Sequence, residues 1–180
     1  MEPGPICVTA GDPSPVLRVR CGKDGLPIGA AAVARIESPV ARVWAVVTDL
    51  RFAHFLPMVH RVRRDGDRVT FELRFKIGFF SVGFQFTAAV TQEPERLIEL
   101  RWLAGEPQKL RLRFTLTPID AGRACLVEGD GEFDVMSLGW LAKYFLKHHP
   151  EIQFGIFPGV ALALIDSLRR AVEAEQPPNG

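Results

Sequence analysis

Residues 157–172 read FPGVALALIDSLRRAV, and the side this stretch turns inward decides the fold. Phe157, Ala161, Leu164, Leu168 and Val172 recur at steps of three and four, which places them on one face of a 3.6-residue helix. Asp166, Arg169, Arg170 and Glu173 fall on the other side. Pro158 and Gly159 read as the start of the helix, where a missing N–H costs little. A lone amphipathic helix near the end of a chain needs an apolar surface to lie on. The sequence before it supplies one.

Five runs upstream alternate with period two. In 69–77, Phe71, Leu73, Phe75 and Ile77 share one face and Thr70, Glu72, Arg74 and Lys76 the other. In 82–90, Phe84, Phe86, Ala88 and Val90 oppose Gln85, Thr87 and Ala89; in 97–103, Ile98, Leu100 and Trp102 oppose Glu99 and Arg101. In 109–117, Leu110, Leu112, Phe114 and Leu116 oppose Lys109, Arg111 and Arg113. In 124–134, Cys125, Val127, Gly129, Gly131 and Phe133 oppose Glu128, Asp130 and Glu132. Turn signals at 65–67, 92–95, 105–107 and 120–122 separate the runs, so the pattern predicts an antiparallel meander with one apolar and one wet face. Arg111 or Arg113 should pair with Glu128 or Asp130 across neighbouring strands, at roughly 0.2–1 kcal/mol per pair. Gly129 and Gly131 leave room on the apolar face, suited to a bend over the helix.

Residues 1–15 are rich in Pro and Gly and read as a mobile tail; 16–21 (VLRVRC) reads as a short strand, 22–27 as a turn and 28–36 as the first strand of the core sheet. Ser38 and Pro39 mark a helix start, with Ser as cap and Pro in the first helical position. Val40, Val43, Trp44 and Val47 give that helix an apolar stripe, and Asp49 is read as the cap of a second short helix that ends at Leu56, before Pro57. The organisation read here is a tail over 1–27 that carries the strand at 16–21, one domain over 28–174 and a mobile end over 175–180.

Hydrophobic residues make up 47% of the 180, enough for one well-filled core. With 22 basic and 21 acidic residues the chain lacks the cationic excess that a general nucleic-acid binder needs. Thirteen Phe against one Tyr give aromatic surface with no polar handle, which favours a dry environment. Cys7, Cys21 and Cys125 have no CxxC spacing, and no signal peptide or run of 18 apolar residues is seen, so a cytoplasmic protein with reduced thiols is expected.

The order of a strand, two short helices, a long meander and a final helix resembles the helix-grip fold of START-like proteins. Residues 38–58 (SPVARVWAVVTDLRFAHFLPM) resemble the opening of the polyketide cyclase/dehydrase and coenzyme Q-binding branch, with its Pro-led helix, Asp, aromatic stretch and Leu-Pro. Residues 68–134, with LRFTLTP at 112–118 and its Gly-rich turn, resemble its middle. Met58 stands where that branch often has an aromatic residue. The resemblance implies an α+β domain, a curved antiparallel sheet wrapped round the C-terminal helix. It also implies a cavity between sheet and helix; the branch includes lipid and quinone carriers, hormone receptors and aromatases.

The expected ligand-lining residues are Phe71, Phe75, Phe84, Phe86, Trp102, Leu112, Phe114, Phe133, Phe157, Ala161, Leu164 and Leu168. None is titratable, so the leading expectation is non-catalytic binding or transport of an apolar small molecule such as a lipid, an isoprenoid quinone or a polyketide-like compound, with no cofactor. An enzymatic alternative, a cyclase or dehydratase, needs His54 or Arg74 turned inward. A third reading is an interaction module whose cup is filled by its own side chains. His148 and His149 are adjacent and point about 100° apart on a helix, so no metal site is expected. Two apolar stretches are candidates for touching a membrane surface: Phe79 and Phe80 at a hairpin tip, and Trp140 and Phe145 within MSLGWLAKYFLKHH at 136–149.

Overall fold

The computed structural model describes residues 15–77 and 80–175, without the side chains of 75–77, 80 and 141. The tail before residue 15, Cys7, Phe79, the side chains of Phe75 and Phe80, and residues 176–180 therefore lie outside the described residues.

Eight strands form one antiparallel sheet in the order β1-β2-β8-β7-β6-β5-β4-β3. They are β1 (Val16–Cys21), β2 (Pro27–Ile36), β3 (Val59–Asp65), β4 (Arg68–Ile77), β5 (Phe80–Glu93), β6 (Leu97–Gly105), β7 (Gln108–Ile119) and β8 (Ala124–Asp134). Between β2 and β3 come α1 (Val40–Thr48) and a 3-10 turn over Arg51–Phe55; after β8 come α2 (Gly139–His148) and α3 (Gln153–Ala174). This is the expected helix-grip α+β fold, with α3 lying against β2 and β8 and beside α1. The α3 stripe of Phe157, Ala161, Leu164, Leu168 and Val172 is buried as its spacing predicts. Pro150–Ala174 is apolar enough by length and mean hydropathy (1.4) to cross a bilayer, but here that stripe is buried against the sheet.

Four local expectations are corrected. Strand β3 was not foreseen: only Val59 and Val62 are apolar in VHRVRRD, and a register shift between Val59 and Arg61 breaks the alternation. Its charged residues suit an edge strand, which they shield from pairing with another chain. Helix α3 begins at Gln153, so Pro158 lies inside it rather than at its start. Helix α1 begins at Val40 after Pro39, and Ser38 makes no capping bond; its hydroxyl is buried without a hydrogen-bond partner. Asp49 does not cap the 3-10 turn, because buried Leu50 intervenes in a left-handed conformation (φ 58°) that turns the chain sharply.

The outer face carries the charge pattern, with different partners from those expected. In register, Arg113 lies opposite Asp130 and Arg111 opposite Glu132. Yet Asp130 pairs with Arg20 of β1, which reaches over β2 to it at 2.9 Å and to Glu132 at 3.3 Å. Small residues in β2 permit this: a Cβ on Gly29 would lie 2.5 Å from the Arg20 guanidinium. Arg111 bridges both neighbours, reaching Glu99 of β6 at 3.0 Å and Glu132 of β8 at 3.9 Å. Glu99 is 5% exposed, covered by Arg111 and Arg101.

Candidate functional site

The inner face of the sheet and the inner stripe of α3 enclose the candidate site. Its side chains are fully buried at one end, the closed end, and only partly buried at the other, the open end. At the closed end lie the C-terminal half of α3, α1 and the strand ends around Val69, Ile98, Leu116 and Cys125, all no more than 2% exposed. Phe52 of the 3-10 turn meets Phe114 edge-on with ring centroids 5.1 Å apart, which plugs this end. Near the middle, Phe71 and Phe86 stack across β4 and β5 at 4.9 Å.

Toward the N-terminus of α3 burial loosens. Leu73, Trp102, Phe133, Leu138, Ile156 and Val160 rest against the core but stay partly exposed, and so does Phe84, the cross-strand partner of Leu73. Phe133 leans on Phe157 at 4.9 Å. These residues form an apolar rim around the open end. Helix α2 stands beside it: a Cβ on Gly139 would lie 3.8 Å from the Phe84 ring, and Ser137 accepts a 2.7 Å bond from the Gln108 N–H, which ties the start of α2 to β7.

The twelve expected lining residues thus divide by depth. Phe71, Phe86, Leu112, Phe114, Phe157, Ala161, Leu164 and Leu168 are buried core; Phe84, Trp102 and Phe133 belong to the rim; the Phe75 side chain lies outside the described residues. The room at Gly129 is occupied by α3, since a Cβ there would lie 3.2 Å from Ile165 Cδ1, and that at Gly131 by Leu112, at 3.2 Å. The Trp102 indole N–H donates to the Gly105 carbonyl at 3.0 Å, within its own turn.

Sequence reasoning missed Leu138, Ile156, Val160 and Gln153. Ile156 and Gln153 were lost because the helix was started at Phe157, and Val160 because it falls beside the Phe157–Ala161–Leu164–Leu168 stripe. Gln153 extends the Phe157–Ala161–Leu164–Leu168 stripe by one turn and is 6% exposed, a polar amide on an otherwise apolar side. The Cys125 thiol also faces inward, at the closed end, where burial pushes its pKa up to about 11 against a smaller lowering by a backbone hydrogen bond. His54 and Arg74, which the enzymatic alternative needs turned inward, are both exposed. His148 Nδ1–H donates to the Tyr144 carbonyl (2.8 Å), while His149 meets Glu151 at 3.1 Å.

A family model described as polyketide cyclase/dehydrase and lipid transport matches residues 36–149. No curated protein matches the chain. Among solved structures the chain resembles TTHA0849 from Thermus thermophilus, at 16% identity and TM-score 0.64, over 82% of this chain and 98% of that one. It resembles a START superfamily protein from Mycobacterium smegmatis at 17% identity and TM-score 0.61, over 83% and 99%. The Zhui aromatase/cyclase from Streptomyces sp. R1128 shares 15% identity at TM-score 0.59, over 84% and 97%. At these identities the likeness is one of fold.

Proposed function

The chain belongs to the polyketide cyclase/dehydrase and lipid-transport family of the START-like superfamily, and from that premise we propose that it binds an apolar small molecule, without catalysis, at the open end of its cup. The observation that carries this reading is the gradient of the inner face. The wall is apolar but for Gln153, closed by Phe52 and Phe114 at one end, and partly exposed at Leu73, Phe84, Trp102, Phe133, Ile156 and Val160 at the other. An elongated apolar ligand lying on that rim would remove the exposed area from water, worth about 25 cal/mol per Å² before ordering costs. Lipids, isoprenoid quinones and polyketide-like compounds share that chemistry. Gln153 is the polar group on the helix stripe that would orient a carbonyl or hydroxyl on such a ligand. Peripheral contact with a membrane through Trp140 and Phe145 would bring the open end beside a source of apolar ligand, because α2 flanks that end.

Titration with the apolar fluorophore N-phenyl-1-naphthylamine tests it. Delipidated protein should enhance its emission saturably, and Phe84→Ala or Trp102→Ala should each weaken binding about tenfold, from the loss of part of an aromatic's burial free energy. Gln153→Leu should leave the fluorophore's affinity within about twofold while weakening displacement by a long-chain ketone relative to the matching alkane. Absence of saturable binding, or affinity that ignores the rim substitutions, would mean that the cup is filled by its own side chains.

A further inference from the structure

Helix α2 is amphipathic in an unusual sense: the side that would ordinarily be polar is aromatic. Leu146, 4% exposed, anchors it to the protein. On the outward side, Trp140, Tyr144 and His148 follow at intervals of four, so they lie in line along the helix. Trp140 is 80% exposed and Tyr144 56%. Tyr144 rests on the His148 ring at 4.5 Å and on Phe145 at 5.9 Å, so the aromatic row is held together although little protein covers it. Ile152 and Phe154, in the turn and first residues of α3 that follow, are also exposed, as is Met136 just before α2. Aromatic side chains offer about 150–250 Å² each, so this surface exposes apolar area on the order of 500 Å², at the upper end of what a monomer shows.

The charges of α2 are of one sign. Lys143 and Lys147 are exposed and flank the Trp140–Tyr144 row on one side; the helix carries no acidic residue. Around it, Glu151 is engaged by His149, and Glu106 sits by Gly139 at the start of α2. Trp and Tyr projecting outward, with a lysine fringe beside them, match the layering of a bilayer surface: ring faces at the acyl boundary and ammonium groups among anionic headgroups.

We propose that α2 docks this protein on anionic phospholipid bilayers, with Trp140, Tyr144 and Phe145 inserted and Lys143 and Lys147 on the headgroups. The docked pose sets the apolar rim beside the membrane. The inference rests on the ligand-binding reading only for the purpose of that placement; the docking itself holds whether or not the cup is occupied.

Flotation of the full chain with phosphatidylcholine vesicles, with and without phosphatidylglycerol as the anionic lipid, tests it. The wild type should float with the anionic vesicles, weakly with phosphatidylcholine alone, and weakly when high salt shortens the screening length. Lys143→Gln with Lys147→Gln should weaken binding roughly 30-fold, and Trp140→Ser should also weaken it, while N-phenyl-1-naphthylamine uptake stays at the wild-type level. Unchanged flotation in these variants, or none by the wild type, would overturn the proposal. So would a dimer in sedimentation velocity that Trp140→Ser dissolves, which would make the patch a contact between copies. Loss of fluorophore uptake with flotation intact would instead count against the ligand-binding reading alone.

Discussion

The contact between Gly129 and Ile165 allows the grip of the helix on the sheet to be tested atom by atom. A methyl group at 129 would lie 3.2 Å from Ile165 Cδ1, while Ile165 Cγ1 and Phe114 Cε1, both at 3.5 Å, would be ordinary contacts. One atom is therefore in the way, and Ile165→Val deletes that atom. Alone, Gly129→Ala gains about 0.5–1 kcal/mol by restricting the unfolded chain and loses about 1–3 kcal/mol to overpacking, a net loss of up to about 2.5 kcal/mol. Alone, Ile165→Val costs about 0.5–1.5 kcal/mol for the space it leaves. Together the new methyl fills that space, so the double variant should be more stable than the sum of the singles by about 1 kcal/mol or more. Urea denaturation of the four proteins measures this directly, and in thermal melts each kcal/mol should appear as about 2–4 °C for a domain of this size. Additive losses would refute the reasoning: α3 would then not rest on the strand at Gly129, and the room there would be open.

Phe114→Ala, which removes a fully buried ring that also supports Phe52, should cost about 3–5 kcal/mol in the same melts, far more than Phe133→Ala at the rim. The Glu99 carboxyl is held below its usual value of 4.5: burial pushes it up, and hydrogen bonds from Arg101 and Arg111 together push it down further. Because the folded value is the lower one, the stabilisation is complete above pH 4.5 and fades as the pH falls through the folded value. Glu99→Gln should therefore cost about 1 kcal/mol at pH 7, limited by the exposure of both arginines, with the gap to wild type narrowing as the pH is lowered below 4.5 in parallel melts. In a Cys7→Ser background, Ellman's reagent at pH 8 should titrate exposed Cys21 in the folded protein and reach Cys125 only in denaturant, since a thiol at about 11 is thiolate to roughly one part in a thousand at that pH.

The face of each inward residue was legible in the sequence because alternation assigns sides without tertiary knowledge. Depth was not. Phe114 and Phe133 carry the same signal, yet one is sealed beneath Phe52 and the other stands at the rim, and only the placement of α1 and α3 separates them. The start of α3 was misread because Pro158 resembles a boundary; burial of Gln153 and Phe157 on the protein carries the helix past it. Strand β3 was hidden by its charge, which suits a sheet edge and erases the apolar period. The ion pairs went elsewhere than expected because Gly29 lets Arg20 cross a whole strand, a reach that adjacent-strand reasoning does not contain. The exposed aromatics of α2 could be seen as a stripe in the sequence, but a stripe is ordinarily core; the structure is what leaves Trp140 uncovered.

The open end of the cup is proposed to receive an apolar molecule. Native mass spectrometry of the purified full chain, followed by organic extraction and mass analysis of what is released, tests this most directly. The account predicts a mass above that of the polypeptide, an extract containing a lipid, quinone or polyketide-like compound, and return to the bare mass after delipidation. A bare polypeptide mass from the outset, with no apolar molecule in the extract and none taken up on addition, would contradict it.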